Sequence, residues 1–160
     1  MKRLFYLLAA AAFTACGSAT TLSVMTFNMR YDNPEDGADN WRFRRGRVAE
    51  VIASHGVDVF GTQELLANQL GDLKRLLPGY AAVGVGREDG AEAGEFSAVF
   101  YRRDRFTPLE SGTFWLSETP DVAGSKGWDG ACERVATWVV LHDREGGREF
   151  LFVNTHLDHV

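Results

Sequence analysis

The order of apolar and polar residues predicts alternating strands and helices in the first half of the chain. Residues 21–28 alternate two sets of side chains that are both partly apolar, which predicts a strand with both faces partly buried. Residues 41–55 have apolar side chains at helical spacing, and Gly56 follows them as a C-cap. A second strand over 57–63 and a second, leucine-striped helix over 65–77 complete this half.

The second half of the chain is predicted to be richer in strands. Strand patterns cover residues 80–86, 96–102, 106–117, 135–142 and 149–155. The last two are separated by a short polar segment and are predicted to form a hairpin. Glycine, proline and acidic residues mark loops at 29–40, 87–94 and 118–130. This order predicts one layered α/β (α+β) domain with a mixed sheet.

Composition supports a globular protein. The chain has 160 residues, of which 45% are hydrophobic and 24% are charged, and its net charge is −5. That charge argues against a basic nucleic-acid binder. It argues only weakly against a polyanionic substrate, because a metal ion can supply local positive charge.

Residues 1–19 have the pattern of a leader segment. Lys2 and Arg3 precede an apolar run that is too short to span a bilayer. Residues 13–17 resemble a bacterial lipobox, which would make Cys16 a lipidated residue; export with cleavage near Ala19, or a buried N-terminal helix, are the alternatives. We expect an exported protein, periplasmic or an outer-membrane lipoprotein, that contacts a membrane only through Cys16. A disulfide framework is not expected, because Cys132 is the only other cysteine.

Polar residues stand where predicted strands end or begin. Asn28 ends the first strand, Glu64 ends the second, Glu95 opens another, and residues 154–159 end the last. Adjacent strand ends converge on one edge of a sheet, so these groups are expected to share a site. Glu64 follows a buried strand, where a carboxylate is usually paired or bound to a metal, although a helix N-terminus would also favour it. Hard oxygen ligands favour Mg²⁺ or Mn²⁺ over zinc.

Five motifs in this order resemble the endonuclease/exonuclease/phosphatase superfamily of metal-dependent phosphoesterases. They are Phe27-Asn28, Gly61-Thr62-Gln63-Glu64, Glu95 with Phe100-Tyr101-Arg102, Arg134 with Thr137-Trp138, and Asn154-Thr155-His156-Leu157-Asp158-His159. The resemblance covers about residues 22–160. It implies the N-terminal part of a four-layer α/β/β/α sandwich with a mixed, mainly antiparallel sheet.

The resemblance also implies roles for single residues. Glu64 is implied as the metal ligand, Asn28 as the amide beside it, and His156 as a contact of the scissile phosphate. Glu95 is implied to hydrogen-bond that histidine, and Arg134 to contact phosphate. A smaller group of residues is expected to complete the site or line a substrate pocket: Asp158 in the catalytic group, and Tyr31, Trp41 and the pair Trp128-Asp129 along the pocket.

Two motifs that this superfamily carries in its second half, a Gly-Asp-Phe-Asn run and a further Asp-His pair that acts as the base, do not follow the motif that contains Asp158-His159. Residues 20–160 are therefore expected to be an incomplete domain, monomeric, and catalytically inert as a 160-residue chain. The implied substrate is a phosphodiester or phosphomonoester of nucleic acid, phospholipid or sugar. The alternative is a non-catalytic surface lipoprotein that binds a ligand through Tyr31, Trp41, Trp115 and Trp128.

Overall fold

A computed structural model describes residues 20–158. The predicted leader with Cys16, and His159 at the other end, lie outside these residues. Within the described part, a 3₁₀ segment over Pro34–Asp39 lies in the loop between the first strand and the first helix. The strands and helices follow in the order β1 (Val24–Asn28), α1 (Trp41–Ser54), β2 (Val59–Gln63), α2 (Ala67–Leu76), β3 (Tyr80–Val83), β4 (Val99–Arg102), β5 (Phe106–Trp115), β6 (Val135–Asp143) and β7 (Arg148–Thr155).

The strands form two sheets, and the helices cover one of them. The first sheet has the order β1-β2-β4-β3, with β1 and β2 parallel and the other pairs antiparallel. The second sheet is the antiparallel meander β5-β6-β7. Residues 20–158 therefore build helix, sheet and sheet layers, and the expected mixed α/β fold with mainly antiparallel pairing is confirmed.

Alternation along β2 separates two cores. Phe60 points to the helices and joins Trp41, Ile52 and Leu73 in the first core. Its neighbour Val59 points the other way, into the core between the two sheets. Because β2 is buried on both faces, it is the strand around which both layers pack.

A buried ion cluster joins the sheets at the end of β2 opposite to Glu64. Arg105 is 4% exposed, and its guanidinium donates to Asp58 over 2.8 Å and to Asp143 over 2.8 Å. These bonds hold the pKa of Asp143 down at about 2, with the hydrogen bond from Arg105 as the main cause. Asp58 precedes β2 and Asp143 ends β6, so one arginine fixes the spacing of the two layers.

Some predicted boundaries and exposures are wrong. Strand β1 is an edge strand whose Val24 is 54% exposed, so only one of its faces packs on the core. Helix α2 begins at Ala67 instead of 65, and β3 ends at Val83, before the predicted 86. Phe96 belongs to no strand but forms isolated bridges with Leu65 and Gly86. Within residues 20–158, no helix has both the length and the apolar character needed to cross a bilayer.

Candidate active site

Parallel pairing brings the ends of β1 and β2 together. Asn28 is the register partner of Gln63, so Asn28 and Glu64 lie side by side at one edge of the sheet. The second sheet reaches the same edge through Asn154, whose Oδ1 accepts from Nε2 of Gln63 over 2.8 Å. His156 lies two residues beyond Asn154. The strand-end groups therefore converge as the sequence predicts.

This junction between the sheets requires a glycine. A Cβ atom on Gly61 would lie 2.3 Å from Oδ1 of Asn154. Nδ2 of Asn154 donates to the carbonyl oxygens of Thr62 and Ala98, over 2.8 and 3.1 Å. Asn154 thus adds a donor from the second sheet to two main-chain carbonyls of the first, of which that of Ala98 also accepts from the Thr62 amide.

The Glu64 carboxylate is held from two sides. Its Oε1 accepts from Nδ2 of Asn28 over 2.7 Å, and its Oε2 accepts from the main-chain nitrogen of Tyr31 over 3.3 Å. The Glu64 backbone lies at φ 59°, in the left-handed region that bulky residues avoid. This turn separates Glu64 from α2, which begins three residues later, so Glu64 is not a residue of the helical first turn.

Buried Gln69 fixes the loop that follows β1. Its Oε1 accepts from the main-chain nitrogens of Asp32 and Leu66, over 3.1 and 3.0 Å, and its Nε2 donates to the carbonyl oxygen of Arg30 over 3.0 Å. Gln69 has no exposed surface, so these three bonds are shielded from water. Sequence patterning did not identify this glutamine, because a glutamine within a helix carries no signal for a loop contact.

One cleft gathers most of the predicted residues. It has a volume of about 280 Å³ and contains Glu64, Glu95, Arg134, His156 and Tyr31 in its wall. The remaining wall residues are Arg30, Arg87 and Cys132. The sequence does not predict Arg30 and Arg87 as site residues, because each lies in a segment that is predicted to be a solvent-exposed loop.

The charge pairs in this cleft differ from the expected pattern. Oε2 of Glu95 accepts from Nη1 of Arg87 over 2.8 Å, and no described contact joins Glu95 to His156. Nδ1 of His156 is buried without a hydrogen-bond partner among residues 20–158. The expectation that Glu95 holds this imidazole is therefore wrong in this structure, although both side chains line the same cleft.

Asp158 forms an ion pair with Arg134. Its Oδ1 lies 3.1 Å from Nη2 of Arg134, and its Oδ2 accepts from the main-chain nitrogen of Ala131 over 2.6 Å. Arg134 is 8% exposed and lines the cleft. Asp158 thus links Arg134 to the backbone of Ala131. Arg30, which also lines the cleft, pairs with Asp36, and this bond lowers the pKa of Asp36.

Trp41 does not line the cleft, which corrects the sequence prediction. It is 2% exposed in the core between the helices and the first sheet, and its indole nitrogen donates to Asp72 over 2.9 Å. A tryptophan at the first turn of a helix can face inward when a partner receives its N–H, as Asp72 does. Trp115 is also buried, and its indole nitrogen donates to the carbonyl oxygen of Arg87 over 2.6 Å. Ligand binding through four exposed aromatic loops is therefore not supported.

The side chains present are compatible with a hard cation. No group of three or more His, Cys, Asp and Glu side chains within residues 20–158 is arranged to hold a metal ion. Mg²⁺ in phosphoryl-transfer sites is commonly bound by one or two carboxylates, with waters and substrate oxygens completing its shell. Glu64, fixed in orientation by Asn28 and open to the cleft, meets that requirement.

Comparison with known proteins places this cleft in context. A sequence profile of the endonuclease/exonuclease/phosphatase family matches residues 25–159. A solved endonuclease/exonuclease/phosphatase from Bacteroides vulgatus is 49% identical, with a TM-score of 0.87 over 89% of this chain and 54% of its own. A mannosyl-6-phosphatase from Bacteroides thetaiotaomicron is 48% identical, with a TM-score of 0.85 over 88% of this chain and 53% of its own.

A curated relative is more distant. The 3'-5'-exoribonuclease subunit Ccr4 of the CCR4-Not complex of Aspergillus clavatus is 25% identical over 90% of this chain and 26% of its own length. The chain thus spans about a quarter of this curated relative and about half of the two solved structures.

Proposed function

Because the chain belongs to the endonuclease/exonuclease/phosphatase family, we propose that it is an exported phosphoesterase dependent on Mg²⁺ or Mn²⁺. The observation that carries this proposal is the cleft in which Glu64, Arg87, Arg134 and His156 face one another. One carboxylate suits a hard cation, and two arginines and an imidazole suit the oxygens of a phosphate ester. In the reaction, water attacks phosphorus in line with the departing alcohol.

Each side chain has a defined part in binding the ester. A cation held by Glu64 would supply positive charge to the phosphate oxygens. Asn28 keeps the Glu64 carboxylate in one orientation before any ligand arrives. Arg134, held by Asp158, donates to the phosphate, and His156 donates from its ring. Since charge grows on the phosphate oxygens as the bond to the alcohol breaks, these donors stabilise the transition state more than the substrate.

The substrate is a phosphomonoester or a phosphodiester. The similar protein from Bacteroides thetaiotaomicron, by its name, acts on mannose 6-phosphate groups, whereas Ccr4 is an exoribonuclease. The higher identity of the former, 48% against 25%, favours a phosphomonoester. Export, with a lipid anchor on Cys16, and a monomeric state are part of the same proposal.

Ligand binding tests this function at the residues that carry it. We expect Glu64→Gln to abolish Mg²⁺ binding, as measured by calorimetry. Glu50→Gln removes a carboxylate from the exposed face of α1 and is the matched control. Inorganic phosphate should then bind to the Mg²⁺-loaded wild type but more weakly to Arg134→Gln. Equal Mg²⁺ affinity in Glu64→Gln and wild type would contradict the proposal.

A further inference from the structure

A strained tryptophan is exposed on a loop beside the phosphate cleft, which is the cleft lined by Glu64, Arg134 and His156. Trp128 is 73% exposed, although tryptophan is normally among the more buried residue types. Its backbone lies at φ 50°. Among the described residues, the other non-glycine residues with positive φ are Arg30 and Glu64, and both line the phosphate cleft. Such strain costs on the order of 1–3 kcal/mol and clusters where function requires it.

Contacts on both sides of the Trp128 loop hold it in place. Gly127 packs closely on the segment that follows β5, because a Cβ atom at Gly127 would lie 2.4 Å from Cα of Ser117. The main-chain nitrogen of Trp128 donates to the Glu118 carboxylate over 3.3 Å, and that of Gly130 donates to the carbonyl oxygen of Gly127 over 3.0 Å. Trp128 is therefore presented at a fixed place in the fold.

A second cleft, of about 180 Å³, lies under this indole. Its wall includes Leu116, Trp128, Asp129 and Asp158, and it shares Arg134 and Cys132 with the phosphate cleft. An ester whose phosphate lies in the phosphate cleft against Arg134 has space for its alcohol part in the adjoining cleft, next to Trp128. The two clefts together have room for both halves of such a molecule.

The chemistry of this second cleft selects among alcohols. Its charged wall residues are Asp129, Asp158 and Arg134, and Arg134 is already paired with Asp158. A further phosphate of a nucleic-acid chain would meet uncompensated negative charge there. A neutral ring with several hydroxyl groups would lie flat on the indole and donate hydrogen bonds to Asp129.

We propose that Trp128 and Asp129 form a subsite for the sugar ring of a sugar phosphate, and that Trp128 determines this specificity. This inference rests on the proposed phosphoesterase function. It assigns the alcohol part of the ester to the cleft under Trp128 and the phosphate to the cleft at Arg134. Binding of a nucleotide to the same indole is the competing outcome, because bases also stack on aromatic side chains.

The test is a fluorescence titration of the 160-residue chain with Mg²⁺ present. Trp41 and Trp115 are buried and Trp138 is half-buried, so quenching by acrylamide falls mainly on Trp128. The probes are mannose 6-phosphate, acyclic glycerol 3-phosphate, adenosine monophosphate and inorganic phosphate. We expect mannose 6-phosphate to bind more tightly than the other three and to protect Trp128 from the quencher.

Two substitutions of Trp128 test whether its indole causes this preference. Trp128→Ala should weaken mannose 6-phosphate binding about tenfold, with a smaller change for inorganic phosphate, whereas Trp128→Phe should retain most of the affinity. Phe43→Ala removes an aromatic side chain that is 61% exposed on α1, and should change neither affinity. Because Trp128 is exposed, both variants are expected to fold, which their melting temperatures check.

The relative affinities of these probes distinguish failure of the subsite from failure of the proposed function. If inorganic phosphate binds but mannose 6-phosphate binds no more tightly than glycerol 3-phosphate, the subsite is wrong and the proposed function stands. If adenosine monophosphate is preferred and loses affinity in Trp128→Ala, the subsite takes a base and the sugar assignment is wrong. If neither inorganic phosphate nor any ester binds, both the subsite and the proposed function are wrong.

Discussion

Nδ2 of Asn28 lies 2.7 Å from Oε1 of Glu64, across the ends of two parallel strands. The pairing register of β1 and β2 brings these residues together, so the sheet itself accounts for their contact. One oxygen of the carboxylate is held by this amide and the other by the main-chain nitrogen of Tyr31. The carboxylate orientation is thus set before a ligand arrives.

Removing the Asn28 amide should therefore weaken the proposed metal binding without removing the Glu64 carboxylate. We expect Asn28→Ala to lower Mg²⁺ affinity about tenfold, because residues that orient a metal ligand contribute 10- to 100-fold. Isothermal calorimetry measures this change. Asn68→Ala is the control, since the Asn68 amide donates to Asp32 and not to Glu64. Similar losses in both variants would show that Asn28 has no special part.

Opposite effects are expected at two glycines. Gly61→Ala places a methyl group against Asn154 and should destabilise the fold by about 2 kcal/mol, since it displaces the amide that joins the sheets. Gly46→Ala lies inside α1 with no atom within 4 Å of the new Cβ, and should stabilise the fold by about 1 kcal/mol. Urea unfolding measures both. The same sign for the two variants would contradict the close packing of Gly61 on Asn154.

The buried ion cluster predicts a pH dependence of stability. The pKa of Asp143 is about 2 in the folded state, below its ordinary value of 3.8, so ionised Asp143 stabilises the fold above the ordinary value. That stabilisation is lost as pH falls toward the folded pKa. Asp143→Asn should cost about 3 kcal/mol at pH 7, and the difference from wild type should shrink between about pH 4 and pH 2.

An exposed aspartate provides the comparison. Asp104→Asn breaks a pair with Arg102 at the surface, where screening by water limits its worth to about 0.5 kcal/mol. Urea unfolding at a series of pH values measures both variants. A loss for Asp143→Asn that stays constant down to pH 2 would mean that the carboxylate charge is not what stabilises the two layers.

Gln69 is expected to matter more than its position on a helix suggests. Gln69→Leu leaves the main-chain nitrogens of Asp32 and Leu66 without their acceptor and removes one of two donors to the Arg30 carbonyl oxygen, which should cost about 2–3 kcal/mol. The loop carrying Tyr31 should also become more open to amide hydrogen exchange. Lys74→Leu makes a similar change at an exposed position of α2 and should be nearly neutral. Unchanged exchange at residues 30–32 in Gln69→Leu would contradict this role.

The sequence predicts the layers well because periodicity reports burial. The apolar run before Glu64 becomes β2, which is buried on both faces, and the final hairpin forms almost as predicted. The same logic failed for Trp41. An aromatic residue beside a polar loop is consistent with a pocket, and only the position of Asp72 on a distant helix shows that its indole N–H faces inward.

Pairs within the cleft could not be predicted from strand ends. Glu95 and His156 both line it, but Arg87 is closer to Glu95 and carries the opposite charge. Residue type alone does not distinguish a carboxylate that binds an arginine from one that binds a histidine. Gln69 and Arg87 were missed for the same reason: their importance depends on contacts between segments distant in sequence.

The left-handed backbone at Arg30, Glu64 and Trp128 has a consequence for how this sequence can change. Glycine or asparagine would relieve the strain at each position, so selection for stability alone would remove all three side chains. Glu64→Gly should therefore raise the unfolding midpoint while eliminating the proposed metal ligand. Sequences that have drifted away from activity should reveal themselves by glycine or asparagine at positions 30, 64 and 128, long before their fold is lost.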